Sequence, residues 1–584
     1  MKIDISVKET AIDFLALVLV SVLIIWILFS GIEMFPLLVN WFFTLGIMSI
    51  VLLISRSCQI SLAVYAAVNL FAFYVNEYVF YSRHIYVQYN DLYCISDALR
   101  IANRYPPVVN TNIVLKFTLV IAIVIGYCIL KNKLHRSEKS KKKLFSLICG
   151  VFLVWFGAVI FDVLPMEVPN FNINDFTVKN GLYYSLYSEY KLSKPEMPNG
   201  YSSEKAASIL DRYKSDDKND SIEDLDIIVI MNEAFMDYSL VGDTEYDNDP
   251  LSRFHALNDN CKKGTLAVSI YGSYTCNTEY EFLTGNSLCF LPHNAVPYMQ
   301  FIKNDINSLV WDMKDLNYNC FAIHPYIGEE WRRTTVYNFL GFDDFISGED
   351  FGSMNLDNIE NITANGDLIG VDFGANNEYI RGFISDRQCY KKVLETLTDG
   401  PDMIFAVTVQ NHGGYNGIYS SDAYKSLPYD ANEYLSLLVQ SDIAFEELIR
   451  ELENRNEKTI VLMFGDHQPI LYPPVSNFFN DYEVCGYKYS DYIVPYVAWA
   501  NFDIDFDIPD IISTNYLSAV LKQNAGIKLT EWDRFRLDVM QEYPVLTAHF
   551  IADSDGNIYP PSECDSSELI NDYKILQYAK TTEM

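Results

Sequence analysis

Five apolar runs of about 20 residues, at about 11–30, 36–54, 60–80, 111–130 and 144–164, dominate the first 164 positions of this 584-residue chain. At ~1.5 Å per residue, each is long enough to cross a ~30 Å hydrocarbon core. Five such runs in succession fit poorly as core helices of a soluble protein. The first, AIDFLALVLVSVLIIWILFS, is not followed by a small-residue cleavage site, and four more runs succeed it. It therefore reads as a retained span rather than a removed signal. The chain is expected to open with a five-helix transmembrane domain over residues 1–164.

Charge sets the orientation. Lys131–Lys143 (KNKLHRSEKSKKK) places seven Lys or Arg between runs four and five, and such loops stay in the cytoplasm. Counting outward, the N-terminus lies inside and everything after run five is exported. The loop over roughly 81–110, with three Arg and two Asp, is the weak point in this pattern. Beyond residue 164 there are 67 acids and 29 bases, net −38. Such an acidic exported half reads as a solvated, soluble surface. A duplex-binding protein needs clustered Lys and Arg, and with acids outnumbering bases 76 to 43 nucleic acid is not expected as a partner. Seven of the eleven cysteines lie there, at no paired spacing, and the odd count argues against a fully disulfide-stapled domain.

Residues 165–224 are mixed and polar, broken by Pro165, Pro169, Pro195 and Pro198, and read as a juxtamembrane connector. From 225 to about 545, short β-branched runs alternate with longer amphipathic segments. That is the pattern of an α/β domain with a mostly parallel sheet and helices on both faces. The expected strands are 226–231, 265–270, 320–323, 403–409, 459–464 and 494–500, and 546–584 forms a C-terminal segment.

The residues suited to chemistry stand just beyond these strands. Asn232 and Glu233 come after the first, Thr275 lies five residues past the second, and His324 comes after the third. Gln410, Asn411 and His412 succeed the fourth, and Gly465, Asp466 and His467 the fifth. Open parallel sheets bind ligands outside the carboxyl ends of their strands, so these groups should share one rim. Glu233, Asp466 and His467 offer two carboxylates and an imidazole, and a Thr hydroxyl adds a third oxygen. This mainly hard set suits Mn²⁺ or Mg²⁺, with Zn²⁺ possible. Thr275 also opens an expected helix to about residue 284, whose N-terminal amides favour an anionic phosphate. An ordinary N-cap is the competing reading for Thr275.

Five short segments, NEAF at 232–235, TCNTEYEF at 275–282, EWRRTTVYNFLGFDDF at 330–345, QNHGGY at 410–415 and FGDHQP at 464–469, together with the spans, resemble the lipoteichoic acid synthase family. These are membrane phosphoglycerol transferases of the alkaline phosphatase and sulfatase superfamily. The resemblance implies Glu233, Asp466 and His467 as metal ligands and Thr275 as a metal-bound nucleophile. It further implies His412 on the substrate phosphate and Trp331 and Arg333 on the glycerophosphate, with His324 nearby. Two departures stand out: Cys276-Asn277-Thr278 replaces the family's Ser-Asp-Ser, and Pro325 and Tyr326 come after His324 where an aspartate is usual. Sulfate-ester hydrolysis is disfavoured, because Cys276 lacks the Pro and Arg that formylglycine conversion needs.

The implied reaction moves glycerophosphate from phosphatidylglycerol to a glycolipid or polyglycerolphosphate acceptor, on the outer face of a Gram-positive-type cell membrane. Two alternatives stay open. A phosphoethanolamine transferase shares the spans and the metal-and-Thr logic but often uses Zn²⁺ and disulfides, and a non-catalytic membrane scaffold could keep a sulfatase-like domain.

Overall fold

The computed structural model describes residues 5–83, 86–92, 108–133, 173–215, 225–240, 248–292, 294–351, 378–471, 487–564 and 567–582, with the pair 483–484 and positions 95, 150, 155 and 157. The chain forms two compact units, Met1–Lys194 and Pro195–Met584. The stretch expected as a connector is divided between them. Helices Ile173–Asn180 and Leu182–Leu192 belong to the first unit and Ser203–Asp211 to the second.

Among the described residues, the first unit contains four long helices: α1 (Ile5–Leu28), α2 (Met34–Ser55), α3 (Cys58–Arg83) and α4 (Thr111–Lys133). Within them, Met34–Ser55, Cys58–Tyr81 and Thr111–Asn132 are long and apolar enough to cross a membrane, and Ile12–Leu28 is a shorter apolar helix. Almost all of the fifth apolar run, 144–164, lies outside the described residues. The surface is inverted relative to a water-soluble protein. Leu19, Trp26, Ile54, Phe71 and Leu130 are exposed, whereas Ser21, Asn40, Thr44, Ser61 and Asn69 are buried. In hydrocarbon a polar group must be satisfied from within. Asn40 does so by donating to the carbonyls of Pro36 and Asn180 and accepting the Tyr183 N–H at 2.9 Å. Trp41 donates to Ser21 Oγ at 2.7 Å.

The second unit is built on an eight-stranded sheet: β1 (Leu225–Asn232), β2 (Cys261–Ala267), β3 (Asn319–His324), β4 (Asp344–Ser347), β5 (Asp402–Val407), β6 (Lys458–Gly465), β7 (Ile493–Ala500) and β8 (Ile511–Ser513). Their order is β8-β2-β7-β6-β1-β5-β3-β4. β7 runs antiparallel to both neighbours, and the other pairs are parallel. Because β7 reverses twice, β2 again points the same way as β6. The carboxyl ends of β1, β2, β3, β5 and β6 therefore lie on one edge, as expected. Every residue of β1, β5 and β7 is buried, the signature of a sheet covered on both faces.

Two differences from the sequence reading concern edges. β2 ends at Ala267, so Val268–Ile270 belongs to the turn beyond it. β4 and β8, of four and three residues, are too short to give a periodic signal. Residues past 545 join the second unit: Tyr573 donates to the Gly285 carbonyl at 2.6 Å, and Gln577 to the Ser287 carbonyl at 2.8 Å. Among the described residues, the free thiols include Cys276, Cys320 and Cys389 in the second unit's interior.

Candidate active site

Asn232 and Gly465 pair at the ends of β1 and β6, so Glu233 and Asp466–His467 leave the sheet side by side. Gly465 is required by crowding: a Cβ there would sit 2.2 Å from the Phe235 carbonyl oxygen. Asp466 is held by its Oδ1, which accepts the N–H of Ala234 and of His467, both at 2.8 Å. Its buried Oδ2 has no hydrogen-bond donor and lies 3.2 Å from His467 Nε2.

His467 Nδ1 lies 2.9 Å from the Gln468 carbonyl. A carbonyl only accepts, so Nδ1 carries a proton, and in the neutral tautomer that a metal takes Nε2 presents a lone pair. That lone pair faces Asp466 Oδ2 and, at 3.9 Å, Glu233 Oε1. Three electron-pair donors thus lie within 4.8 Å of one another, all buried. Donor atoms facing one another in a dry site repel, and a cation between them removes the conflict. Burial, reinforced by Asp466, pushes the Glu233 carboxyl up to about 8 against the pull of His467 and Arg333. A dication would hold it ionised. The donor set therefore fits a divalent metal.

Thr275 opens helix α5 (Thr275–Thr284), every residue of which is buried. Tyr274 enters the helix with φ +63°, so the chain turns sharply just before the hydroxyl. One turn on, Thr278 donates to the Asp466 carbonyl at 2.8 Å. That bond ties the start of α5, with its partial positive charge, to the carboxylate–imidazole group.

The other expected residues line the same rim. His324, buried at the end of β3, donates Nδ1–H to the Val407 carbonyl at 2.9 Å. Burial, then the Arg333 charge, hold its imidazole well below the usual value, so it is a neutral group with Nε2 to offer. His412 keeps an accessible edge although protein atoms surround it. Burial lowers its affinity for a proton against the opposing influence of Glu330. Trp331 packs its ring 5.5 Å from that of Tyr274. Arg333 is buried, and Glu279 Oε1 accepts from its Nε at 3.0 Å and from its Nη2, while Tyr337 donates to Glu279 Oε2 at 2.7 Å. Glu233, Asp466 and His467 are brought together directly. Thr275 is joined to them through α5, and Arg333 stands behind, its charge felt at Glu233 and His324.

Sequence reasoning missed the supports. Thr408 Oγ1 accepts the Glu233 N–H at 3.0 Å. Asp386, at the start of helix α6 (Asp386–Thr396), accepts from Asn232 at 3.0 Å and from Ser441 at 2.6 Å. Arg381 donates to the carbonyls of His412 (3.1 Å) and Gly414 (3.0 Å), and its Nε pairs with buried Glu433 at 2.8 Å. Glu433 in turn accepts the N–H groups of Asn416 and Gly417. Among the described residues, nine non-glycine positions have positive φ. Five of them, Ala234, Tyr274, Trp331, Arg332 and Arg381, stand next to these site residues. Strain of this kind persists where the surroundings enforce it, and it concentrates at functional sites.

A family model described as Sulfatase matches residues 226–519. A Rhizobium meliloti protein, provisionally named a cyclic beta-1,2-glucan modification protein, is 28% identical over 355 residues, covering 57% of this chain and 50% of its own length. The chain spans about half the length of the curated relatives it matches. Among solved structures, the Streptococcus pyogenes phosphoglycerol transferase GacH, in complex with sn-glycerol-1-phosphate, is 22% identical. The match covers 66% of this chain and 95% of that one with a TM-score of 0.52, a likeness of fold. The integral membrane lipooligosaccharide phosphoethanolamine transferase A from Neisseria meningitidis is 14% identical, covering 90% of this chain and 97% of that one, with a TM-score of 0.47.

Proposed function

Because the chain belongs to the sulfatase family, we propose that it is a membrane-anchored phosphoglycerol transferase whose nucleophile is Thr275. The reading rests above all on one observation: Glu233, Asp466 and His467 converge beside the helix that Thr275 opens. A Thr at that position, with no formylglycine motif, turns the family's chemistry from sulfate hydrolysis toward phosphoryl transfer.

Glu233, Thr275, Asp466 and His467 would hold the ion, and three oxygens with one nitrogen favour Mn²⁺, then Mg²⁺, over Zn²⁺. Bound there, it would lower the pKa of a coordinated hydroxyl and neutralise charge on a phosphoryl oxygen. The chain's own groups do the rest. Thr275 Oγ attacks the phosphorus of phosphatidylglycerol, the bond from phosphorus to the diacylglycerol oxygen breaks, and that oxygen leaves with a proton. A glycerophospho-threonine remains. A hydroxyl of the glycolipid or polyglycerolphosphate acceptor then attacks the same phosphorus, releasing Thr275. His412, accessible at the rim, orients the phosphate and stabilises charge as it develops. Trp331, Arg333 and His324 shape the cradle for the glycerol end.

The same reading gives five spans, a cytoplasmic N-terminus and an exported catalytic unit tethered to the membrane that supplies its donor. The test is intact-mass measurement after incubation with Mn²⁺ and either phosphatidylglycerol or phosphatidylethanolamine. A glycerophosphate adduct on Thr275 is the expected result. A phosphoethanolamine adduct would reassign the donor, and no adduct in a metal-loaded protein would end the covalent scheme.

A further inference from the structure

The first unit holds a charge pair that does not close. Near the start of α4, Lys116 donates to the Leu28 carbonyl at 2.8 Å and stands 4.7 Å from the centre of the Phe73 ring. Glu77 of α3 lies opposite, and each charge is felt by the other, yet the two form no direct ion pair. Between them is a cavity of about 230 Å³, lined also by Asn76, Asn112, Tyr86 and Thr177. The opposite end of the bundle behaves differently: Asp13 of α1 and Lys131 of α4 meet at 2.6 Å. Opposite charges among apolar helices normally find each other, because an unpaired ion there is costly. A pair kept apart around a polar cavity therefore has room for something that answers both charges.

We propose that this cavity binds the phosphodiester head group of a phospholipid, with the phosphate on Lys116 and a head-group hydroxyl or ammonium on Glu77. At ~30 Å³ per water the space holds about seven or eight waters, the size of a small head group and less than a drug-sized pocket. It lies at the ends of α1, α3 and α4 that face outward if the N-terminus is cytoplasmic, and so at outer-leaflet head-group depth. Leu115 and Leu119, exposed on α4, give acyl chains an apolar surface. The site deepens the reading of the chain as a phospholipid-consuming transferase, but it depends on the first unit alone and binding is measured without turnover.

The experiment is native mass spectrometry of the full-length chain from nanodiscs containing equal parts phosphatidylglycerol, phosphatidylethanolamine and phosphatidylcholine. The wild type and Thr275→Ala should both retain phosphatidylglycerol or phosphatidylethanolamine in preference to phosphatidylcholine, whose choline has no N–H or O–H to offer Glu77. Lys116→Met should lower retained lipid about tenfold, the effect of losing one charge-assisted hydrogen bond. Glu77→Gln should keep the lipid but level the three head groups, which secures the result should Lys116→Met fail to fold. Equal retention of phosphatidylcholine by the wild type, or unchanged lipid and preference in both variants, would overturn the proposal. Loss of lipid in Lys116→Met with an inert Thr275 would uphold this site and overturn the transferase reading instead.

Discussion

Two buried ionic clusters in the second unit invite comparison. In one, Lys522 pairs with Asp312 at 2.8 Å and with Asp533, and Arg536 pairs with the other oxygen of Asp533. Two cations meet two anions, and although burial alone would raise the Asp533 carboxyl, Lys522 and Arg536 hold it well below the usual carboxylate range. In the other, Glu233 and Asp466 face a single imidazole, Asp466 Oδ2 lacks a donor, and Glu233 rises to about 8. In the first cluster each carboxylate has its cation, and the pairs lock helix α7 (Thr514–Asn524) to α8 (Glu531–Glu542). The second is short of positive charge. A buried cluster short of positive charge has room for a cation from outside, and that separates a candidate site from a staple.

The largest expected effect comes at the centre of the incomplete cluster. Thr275→Ala should lower diacylglycerol release roughly 10³-fold or more, with the fold intact by melting temperature. Undiminished release would remove Thr275 from the chemistry. The next test swaps the roles of the clusters. Asp466→Asn should abolish bound divalent metal by elemental analysis and cut turnover roughly 10²–10³-fold, while melting no lower than the metal-free wild type. Lys522→Met should do the reverse, destabilising the fold by roughly 3–5 kcal/mol by chemical denaturation, because Asp312 and Asp533 each lose a buried cation. Its metal content should be untouched. If both variants lost stability alike, the contrast between the clusters would be unfounded.

How much of the site is legible in the sequence depends on how far each relation reaches along the chain. Glu233, His324, His412, Asp466 and His467 were legible because each comes just after a β-branched run, and strand polarity then places them on one edge. Their supports were not. Thr408 serves Glu233 across 175 positions, and Asp386 bonds Asn232 across 154. A hydrogen bond of that span leaves no periodic mark in the sequence. Arg381 was hidden for a further reason: it comes after a stretch without pattern, and its φ of +55° belongs to no regular element. The reversed direction of β7 was also out of reach, since an apolar run reads the same in either sense.

Arg381 gives a smaller and more selective test. Its fork to the His412 and Gly414 carbonyls holds the loop of the rim histidine, while Glu433 holds Arg381. Arg381→Met should raise KM for the donor roughly tenfold with a lesser fall in kcat and no change in bound metal, because only the phosphate-orienting loop loosens. Arg381→Lys should not restore it, since an ammonium cannot span two carbonyls as the planar guanidinium does. A fall in kcat alone would mean that the loop acts in chemistry rather than in placement.

The smallest effect tests a third arrangement, intermediate between the two clusters. His255 lies between Asp249, 2.7 Å from Nδ1, and Asp237, 2.9 Å from Nε2, four residues beyond Glu233. Here one cation serves two acids, and the pairing with Asp237 outweighs burial to lift the imidazole to about 9 from an ordinary 6.5. The folded state thus binds the proton more tightly than the unfolded one. Its stabilisation is complete below pH 6.5, declines as pH rises, and is gone once pH passes about 9. His255 and Asp249 are partly exposed, so solvent screens the pair and the change should be modest. Melting temperature followed from pH 6 to 10 should fall more steeply for the wild type than for His255→Gln, with the curves converging at the alkaline end. Parallel curves would show that the segment after Glu233 is held by packing of Phe235 on Phe254, at 5.6 Å, and that the charges there contribute nothing to its placement.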